Sequence, residues 1–391
     1  MQECIGRFAP TPSGRMHLGN VFAALIAWLS VRSQGGKMVL RMEDLDTQRT
    51  SSEFAETLRR DLTWLGLTWD EETPPQSQRT QAYDRYFDLL AQKGLLYPCY
   101  CTRSQLHSVN APHLSDGTYV YAGTCRNLTP QQRQEKGDKF SWRVQVPERT
   151  VSIVDMAQGP FSQNLAKECG DFVVRRADGV YVYQLAVTVD DGEAGVTEVV
   201  RGVDLLASAP RQMYLQELFG FRTPAYGHVP LLVAPDGRRL SKRDKDMDLG
   251  QLQKAMRPEH LLGILACTAG LIDRVEDVSA RELISHFRWD GLGMDSICLR
   301  LYGFCPLGAK PVDINPYWDI RYELCSRYSA LRIDMPCGAR GNLYQPLLPS
   351  GNISKFCTTE LYRFCHRQKY RAEGISTKCI AAEGLRWEIG D

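Results

Sequence analysis

The chain has 391 residues, is 43% hydrophobic and 24% charged, and carries a formal net charge of +1. That length allows two or three domains and a sizeable core, and the composition excludes a disordered or low-complexity chain. No stretch is apolar enough to span a membrane and no signal-peptide pattern follows Met1, so the cytoplasm is the expected compartment.

In chain order, residues 3–8 predict a short strand. The loop Arg7 to Asn20, R-F-A-P-T-P-S-G-R-M-H-L-G-N, is dense in Pro, Gly and small polar residues, yet it matches neither G-x-x-x-x-G-K-[ST] nor G-x-G-x-x-G. Leu18, Val21, Phe22, Leu25, Ile26 and Leu29 then recur at helical spacing, which makes a strand–loop–helix unit. K-M-V-L-R-M-E-D, ending at Asp44, predicts a second strand that finishes in acids. Thr50-x-x-Glu53 reads as a capping box, and Phe54, Leu58, Leu62 and Leu65 mark the helix behind it. A further helix is expected from about Arg79 to Gln92, with Tyr83, Phe87 and Leu90 on one face and Gly94 as its stop.

Strands alternating with helices predict an α/β fold with a parallel sheet. Ligands bind such sheets beyond the C-terminal strand ends, which puts the opening loop and Glu43 on one rim. Residues 98–165 interrupt the alternation with strand-like runs at 139–146 and 151–156. The alternation is expected to resume with D-F-V-V-R-R (171–176), T-E-V-V-R-G (197–202), a helix near 207–219 and H-V-P-L-L-V (228–233). From about Leu249 to His286 the pattern is helical.

Thirteen cysteines are many for a reducing compartment. Only Cys99, Cys101 and Cys125 form a tight group. Two thiolates two apart and a third after a loop can reach one tetrahedral zinc. The same spacing also suits three free buried thiols, and spacing alone leaves both readings open. His107 and His113 are the conventional candidates for a fourth ligand. After about Asp295 the periodicity fades and seven cysteines are scattered with no C-x2-C pair among them. This range is read as a small added domain, as a second metal site, or as sequence from a shifted reading frame, and the abrupt loss of pattern favours the last.

His17-Leu18-Gly19-Asn20 opens a helix, and Arg239-Leu240-Ser241-Lys242-Arg243 follows a strand and a Gly about 220 residues later. Each alone suits an ordinary cap or a solvated basic turn. Together they resemble the "HIGH" and "KMSKS" signatures of class I aminoacyl-tRNA synthetases. The strings R-F-A-P-T-P-S-G, R-M-E-D-L-D (41–46), Y-Q-L-A-V-T-V-D-D (183–191) and V-V-R-G (199–202) resemble the glutamyl branch, over roughly residues 5–290. Arg239 stands where the family often has Lys, and Thr11 where many relatives carry Ser. Each keeps the charge or the hydroxyl.

The resemblance implies a Rossmann-like class I catalytic domain (1–97 and 166–248) with an inserted zinc-bearing α+β subdomain (98–165). A helical segment (249–295) and the atypical tail (296–391) follow. It implies ATP, with Mg2+, as a substrate held by His17, Gly19, Asn20, Ser241 and Lys242. A helix N-terminus and a cation on a loop suit the negative charge that builds on pyrophosphate. Glutamate has two carboxylates and one ammonium, so its pocket needs two cations and one anion. Arg7 and Arg201 offer bidentate forks, Glu43 meets the ammonium, and Thr11 and Tyr183 add hydroxyls. Arg7, Phe8, Ala9, Pro10, Thr11, Glu43, Tyr183 and Arg201 match the family's glutamate-contacting positions. The competing reading is that Arg7 and Glu43 form an ordinary rim ion pair.

Within that branch, the chain resembles the glutamyl-Q tRNA(Asp) synthetases. They share C-x-C…Y-x3-C, which implies Tyr121 as the fourth ligand of one structural zinc beside Cys99, Cys101 and Cys125. They also lack the helical anticodon-binding domain, which is not evident here. The resemblance implies transfer of glutamate to queuosine in the anticodon of tRNA(Asp). Two alternatives stand beside it. One is a truncated glutamyl-tRNA synthetase charging tRNA(Glu). The other is a catalytically silent, synthetase-like RNA-binding or regulatory protein.

Overall fold

A computed structural model of the chain describes residues 3–102, 104–105, 120–233, 248–290, 292 and 297–298, all within the unit Met1–Ser329. The expectations at His107, His113, Arg239, Ser241 and Lys242, and those on the tail beyond Cys298, lie outside the described residues. The first elements are β1 (Ile5–Phe8), α1 (Leu18–Ser33), β2 (Lys37–Leu40), α2 (Ser52–Trp64), β3 (Glu71–Glu72), α3 (Thr80–Gln92) and β4 (Leu96–Cys99). After them come α4 (Pro130–Glu135), β5 (Ser141–Val144), β6 (Thr150–Asp155), β7 (Gly159–Asn164), β8 (Phe172–Arg175), α5 (Tyr183–Glu193), β9 (Glu198–Gly202), α6 (Ala209–Phe219), β10 (Ala225–Val229) and β11 (Leu232–Val233). The described chain closes with α7 (Leu249–Ala255), α8 (Pro258–Thr268), α9 (Ala280–Leu283) and β12 (Ile297–Cys298).

β1 pairs in parallel with β2, and β2 with β3. On the other edge of β1 the Thr197 amide donates to the Ile5 carbonyl at 2.9 Å, which brings β9 alongside, and β9 pairs in parallel with β10. The parallel layer therefore runs β3-β2-β1-β9-β10, with the early and late strands meeting at β1. α1 lies across this meeting point and buries ten of its sixteen residues, so it is covered on more than one stripe. A Cβ on Gly6 would sit 2.3 Å from Val31 Cγ2, so glycine there lets β1 and α1 touch. No helix among the described residues is long and apolar enough to cross a membrane.

Four expectations are corrected. The cap of α2 is Ser51, whose hydroxyl accepts from the Phe54 amide at 3.1 Å, while Thr50 donates to the Asp46 carbonyl. The turn after the acids takes the Thr50 hydroxyl, so the next residue caps. Phe54 is 38% exposed, because the buried stripe of α2 starts one turn later at Thr57 and Leu58. β8, read as the return of the alternation, pairs antiparallel with β5, which pairs antiparallel with β4. A four-residue apolar run carries no direction of its own, and its partner decides. Finally, β12 pairs in parallel with β11, so two residues of the range read as atypical tail, Ile297 and Cys298, are paired.

Candidate functional site

The C-terminal ends of β1 and β9 open into one cavity of about 550 Å³. Arg7, Phe8, Ala9, Pro10, Thr11, Glu43, Tyr183, Arg201, His17, Gly19 and Asn20 all line it. Local structure explains their meeting. The loop after β1 is tied to the segment after β2 by three amides: Arg41 to the Phe8 carbonyl (2.9 Å), Glu43 to Pro10 (3.0 Å) and Ser51 to Pro12 (3.0 Å). Glu43 is thereby fixed beside the loop. Arg7 on β1 reaches across to β9, donating from Nη1 to the Val200 carbonyl at 3.1 Å.

Arg7 and Glu43 are not an ion pair. Glu43 Oε1 accepts from Arg41 Nη2 at 3.0 Å, and Arg7 Nε faces Asp191 Oδ1 at 3.6 Å. Arg41, 1% exposed, also donates from Nη1 to Asp191 Oδ1 at 2.5 Å, and its Nε lies 3.6 Å from Asp190 Oδ2. Burial works against the Arg41 charge, but Asp191, Glu43 and Asp190 outweigh it and raise its pKa. Burial likewise opposes the charge on Asp191, yet Arg41 and Arg7 hold it below the usual carboxylate range. Burial pushes Glu43 up, with Arg41 opposing. A cation placed beside Glu43 would favour its charged form.

Asp190, one residue earlier on α5, also reaches a second set of partners. It accepts from Arg79 Nε (2.6 Å), Gln76 Nε2 (2.8 Å) and Tyr83 Oη (3.1 Å). Successive helical residues point about 100° apart, so the Asp190-Asp191 pair joins two sets of partners. Arg41, Asp190 and Asp191 carry no motif of their own and lie inside the longer strings R-M-E-D-L-D and Y-Q-L-A-V-T-V-D-D. One usable signal was Arg41-x-Glu43, because extended residues two apart share a face.

Arg201, 6% exposed, is held on four sides. Nε donates to His228 Nε2 (3.0 Å), Nη1 to Gln212 Oε1 (2.9 Å) and Tyr183 Oη (3.3 Å), and Nη2 to the Leu205 carbonyl (3.3 Å). Its guanidinium also lies 5.5 Å from the Tyr226 ring centroid. Asp204 and Leu205 line the cavity too, and no motif pointed to them.

His17 stands at the N-cap of α1 in extended backbone, and its imidazole does not make the cap bond. A Cβ on Gly19 would lie 3.1 Å from that imidazole, so glycine there leaves the ring room. A bridge between His17 and Asp248 and the bond from the Leu249 amide to the Met16 carbonyl (3.1 Å) tie this turn to the start of α7.

The cysteine group lies on the antiparallel sheet, at the end of β4. The sulfur atoms of Cys99, Cys101 and Cys125 all lie within 4.8 Å of one another and can hold a metal ion. Cys101 and Cys125 sulfurs are 3.6 Å apart, and Tyr121 Oη lies 3.5 Å from Cys99 Sγ and 3.8 Å from Cys101 Sγ. Tetrahedral zinc with bonds of about 2.3 Å to sulfur and about 2.0 Å to oxygen needs S···S near about 3.8 Å and S···O near about 3.5 Å. The spacing fits. Tyr121 Oη also accepts from the Cys125 amide at 2.7 Å, and the Arg143 guanidinium stacks 3.8 Å from its ring centroid.

The sequence matches the family of class I tRNA synthetases (E and Q), catalytic domain, over residues 3–274. It is 46% identical over 297 residues to a glutamyl-Q tRNA(Asp) synthetase of Symbiobacterium thermophilum, covering 72% of this chain and 91% of that one. It is 46% identical to another of the same name from Nitratidesulfovibrio vulgaris, covering 68% and 86%. Among solved structures it resembles a glutamate tRNA ligase from Elizabethkingia meningosepticum in complex with its amino acid, at 28% identity and a TM-score of 0.65, covering 76% of this chain and 67% of that one. A charged cavity at parallel strand ends, a cation-capable cysteine group on an inserted sheet, and these likenesses agree: the chain belongs to the class I tRNA synthetases for E and Q, in the glutamyl-Q tRNA(Asp) synthetase family.

Proposed function

We propose that this protein activates L-glutamate with ATP and transfers it to the queuosine base in the anticodon of tRNA(Asp). The observation that carries the reading is that Arg7, Arg201, Glu43 and Tyr183 meet in one cavity with His17 and Asn20. Arg7 and Arg201 receive the two carboxylates of glutamate, and Glu43 receives its ammonium. Thr11 and Tyr183 add hydroxyls, and Phe8, Ala9 and Pro10 form the adjoining wall.

The glutamate α-carboxylate oxygen attacks the α-phosphorus of ATP. A C(O)O–P bond forms, the bond to the bridging oxygen breaks, and pyrophosphate leaves with the electron pair. His17 at the start of α1, with Gly19 and Asn20, suits the triphosphate, because helix N-termini present unpaired amides. The resemblance assigns Ser241 and Lys242 to the leaving group, with Mg2+ accompanying ATP. Losing one such donor typically costs about 10²–10³ in rate. In the second step a hydroxyl oxygen of the queuosine cyclopentene-diol attacks the activated carbonyl carbon; an ester bond forms, the carbonyl-carbon–phosphate-oxygen bond breaks, AMP leaves with the electron pair, and the hydroxyl proton passes to solvent.

Cys99, Cys101, Tyr121 and Cys125 would hold one structural zinc ion. Bound there, it would pin the turn after β4 to the segment at 121–125. The compartment we infer is the cytoplasm, where tRNA and ATP meet.

The identity of 46% to relatives named for tRNA(Asp), against 28% to a glutamate tRNA ligase, supports the queuosine reading over charging of tRNA(Glu). The test is transfer of radiolabelled glutamate to tRNA(Asp) with queuosine, tRNA(Asp) without it, and tRNA(Glu). Label on the first alone is expected. Label on the tRNA(Glu) 3′ end would overturn it, and absence of glutamate-dependent ATP–pyrophosphate exchange would favour a silent binding protein.

A further inference from the structure

Asp155 and His228 have no place in the reading so far, and neither lines the cavity. Both side chains are 0% exposed. Buried polar groups persist when every donor finds an acceptor, so their bonds can be followed one by one. Arg201 Nε carries a single hydrogen, and its acceptor is His228 Nε2 at 3.0 Å. His228 must therefore be neutral with its proton on Nδ1. That nitrogen faces Asp155 Oδ2 at 2.6 Å. Asp155 cannot swing away. Its Oδ1 accepts from the amides of His228 (3.0 Å), Ala157 (3.0 Å) and Gln158 (2.9 Å), the last two in the β6–β7 turn. Gln158 Nε2 returns a bond to the His228 carbonyl at 2.8 Å, and the imidazole stacks on Tyr226 at 13° between planes. Of the five N–H groups of Arg201, four have acceptors among the described residues, and the fifth is on Nη2.

We propose that Asp155 and His228 are positioning residues that hold the Arg201 guanidinium as a carboxylate receptor through its remaining Nη2 N–H, so that the β6–β7 hairpin sets the affinity of a cavity it does not touch. The proposal rests on the reading of Arg201 as a receptor for the amino acid. Asp155 selects the tautomer, the tautomer presents Nε2 as an acceptor, and that acceptor fixes the rotation of the guanidinium. An Asn at 155 can keep the amide bonds through its oxygen, but it then aims an NH2 at Nδ1. His228 would switch tautomer and set one N–H against another at Arg201.

The experiment is steady-state ATP–pyrophosphate exchange by the full chain, with all twenty amino acids tried on the wild type. For the amino acid activated, Asp155→Asn is expected to raise KM by about tenfold to hundredfold while KM for ATP stays within about twofold. His228→Leu should do the same, and His228→Gln, whose amide oxygen can accept from Arg201, should recover most of the loss. Unfolding midpoints are read alongside. Should His228→Leu lose its fold, Asp155→Asn decides alone. Unchanged amino-acid KM in a folded Asp155→Asn overturns the relay, as does an equal rise in both KM values. If the amino acid activated is not glutamate, the functional reading fails while the relay is judged on the KM of that substrate. Exchange with no amino acid overturns both.

Discussion

The cavity and the cysteine group solve the same problem in opposite ways. Each must keep several polar side chains in one geometry. Behind the cavity wall the charges hold one another: Arg41 sits between Asp191, Glu43 and Asp190, and the cavity-lining Arg201 rests on His228 and Gln212. In the cysteine group three sulfurs and a phenol converge at spacings that match a single tetrahedral ion. Preorganisation by paired side chains needs partners from distant segments, as Arg41 and Asp191 are 150 residues apart. Preorganisation around an ion needs only a short stretch, here Cys99 to Cys125.

The comparison can be broken or sharpened by experiment. The largest effect is expected from Asp191→Asn, which strips the nearest anion from a 1% exposed Arg41. Breaking a buried pair from one side costs about 3–5 kcal/mol. Denaturant titration should show that loss, and a variant as stable as wild type would mean the cavity does not depend on its internal pairs. Chelation or Cys125→Ser should come next. If one ion is held at hundredfold saturation, its removal costs about 2.7 kcal/mol of unfolding free energy. Elemental analysis should find one zinc per wild-type chain and none in the variant. Amino-acid KM should change less than stability, and equal collapse of both would show the two regions to be one unit.

Arg201→Lys should raise glutamate KM by about tenfold to hundredfold, because Lys replaces a guanidinium held by four protein acceptors with a mobile point charge. A KM within error of wild type would remove Arg201 from the pocket. Gly19→Ala places a Cβ 3.1 Å from the His17 ring. The midpoint should hold or rise, because Gly in a helix costs about 0.5–1 kcal/mol relative to Ala, while kcat of exchange falls several-fold.

The smallest effect concerns pH. Burial, and then Arg201, lower the His228 pKa from the usual 6.5, with the Asp155 hydrogen bond opposing and Arg7 adding to the lowering. Asp155 comes from β6, Arg201 from β9 and Arg7 from β1, and Tyr226 stacks from the same strand as His228. The unfolded chain takes up this proton near pH 6.5 and the folded chain only at lower pH. The unfolded state then binds more protons, so the stability from neutral His228 is present above pH 6.5 and declines as pH falls below it. Thermal midpoints across that window should show the decline, and His228→Gln should flatten it.

Much of this was legible locally. Residue pattern alone marked β1, α1 and α3, and it marked Cys99-x-Cys101 as one group. The same string that opens α1 drew attention to His17 and Gly19. What escaped was partnership at a distance. The Arg7–Glu43 pair weighed from sequence is absent because Arg41, two residues from Glu43, takes that carboxylate. Asp155 lies within the strand-like run 151–156, and His228 at the start of the run 228–233. Only the packing of β6 against β10, where the Met156 amide donates to the Tyr226 carbonyl at 2.8 Å, sets them together. β8 read as a strand correctly, but not which way it would pair.

The sequence by itself determined the kinds of element and the reactive side chains, because helical and strand periodicity and side-chain chemistry are properties of a few neighbouring residues. The tertiary structure decided which charge meets which. Burial makes an unmatched charge costly, and the meeting of β1 with β9 and of β6 with β10 chooses the match.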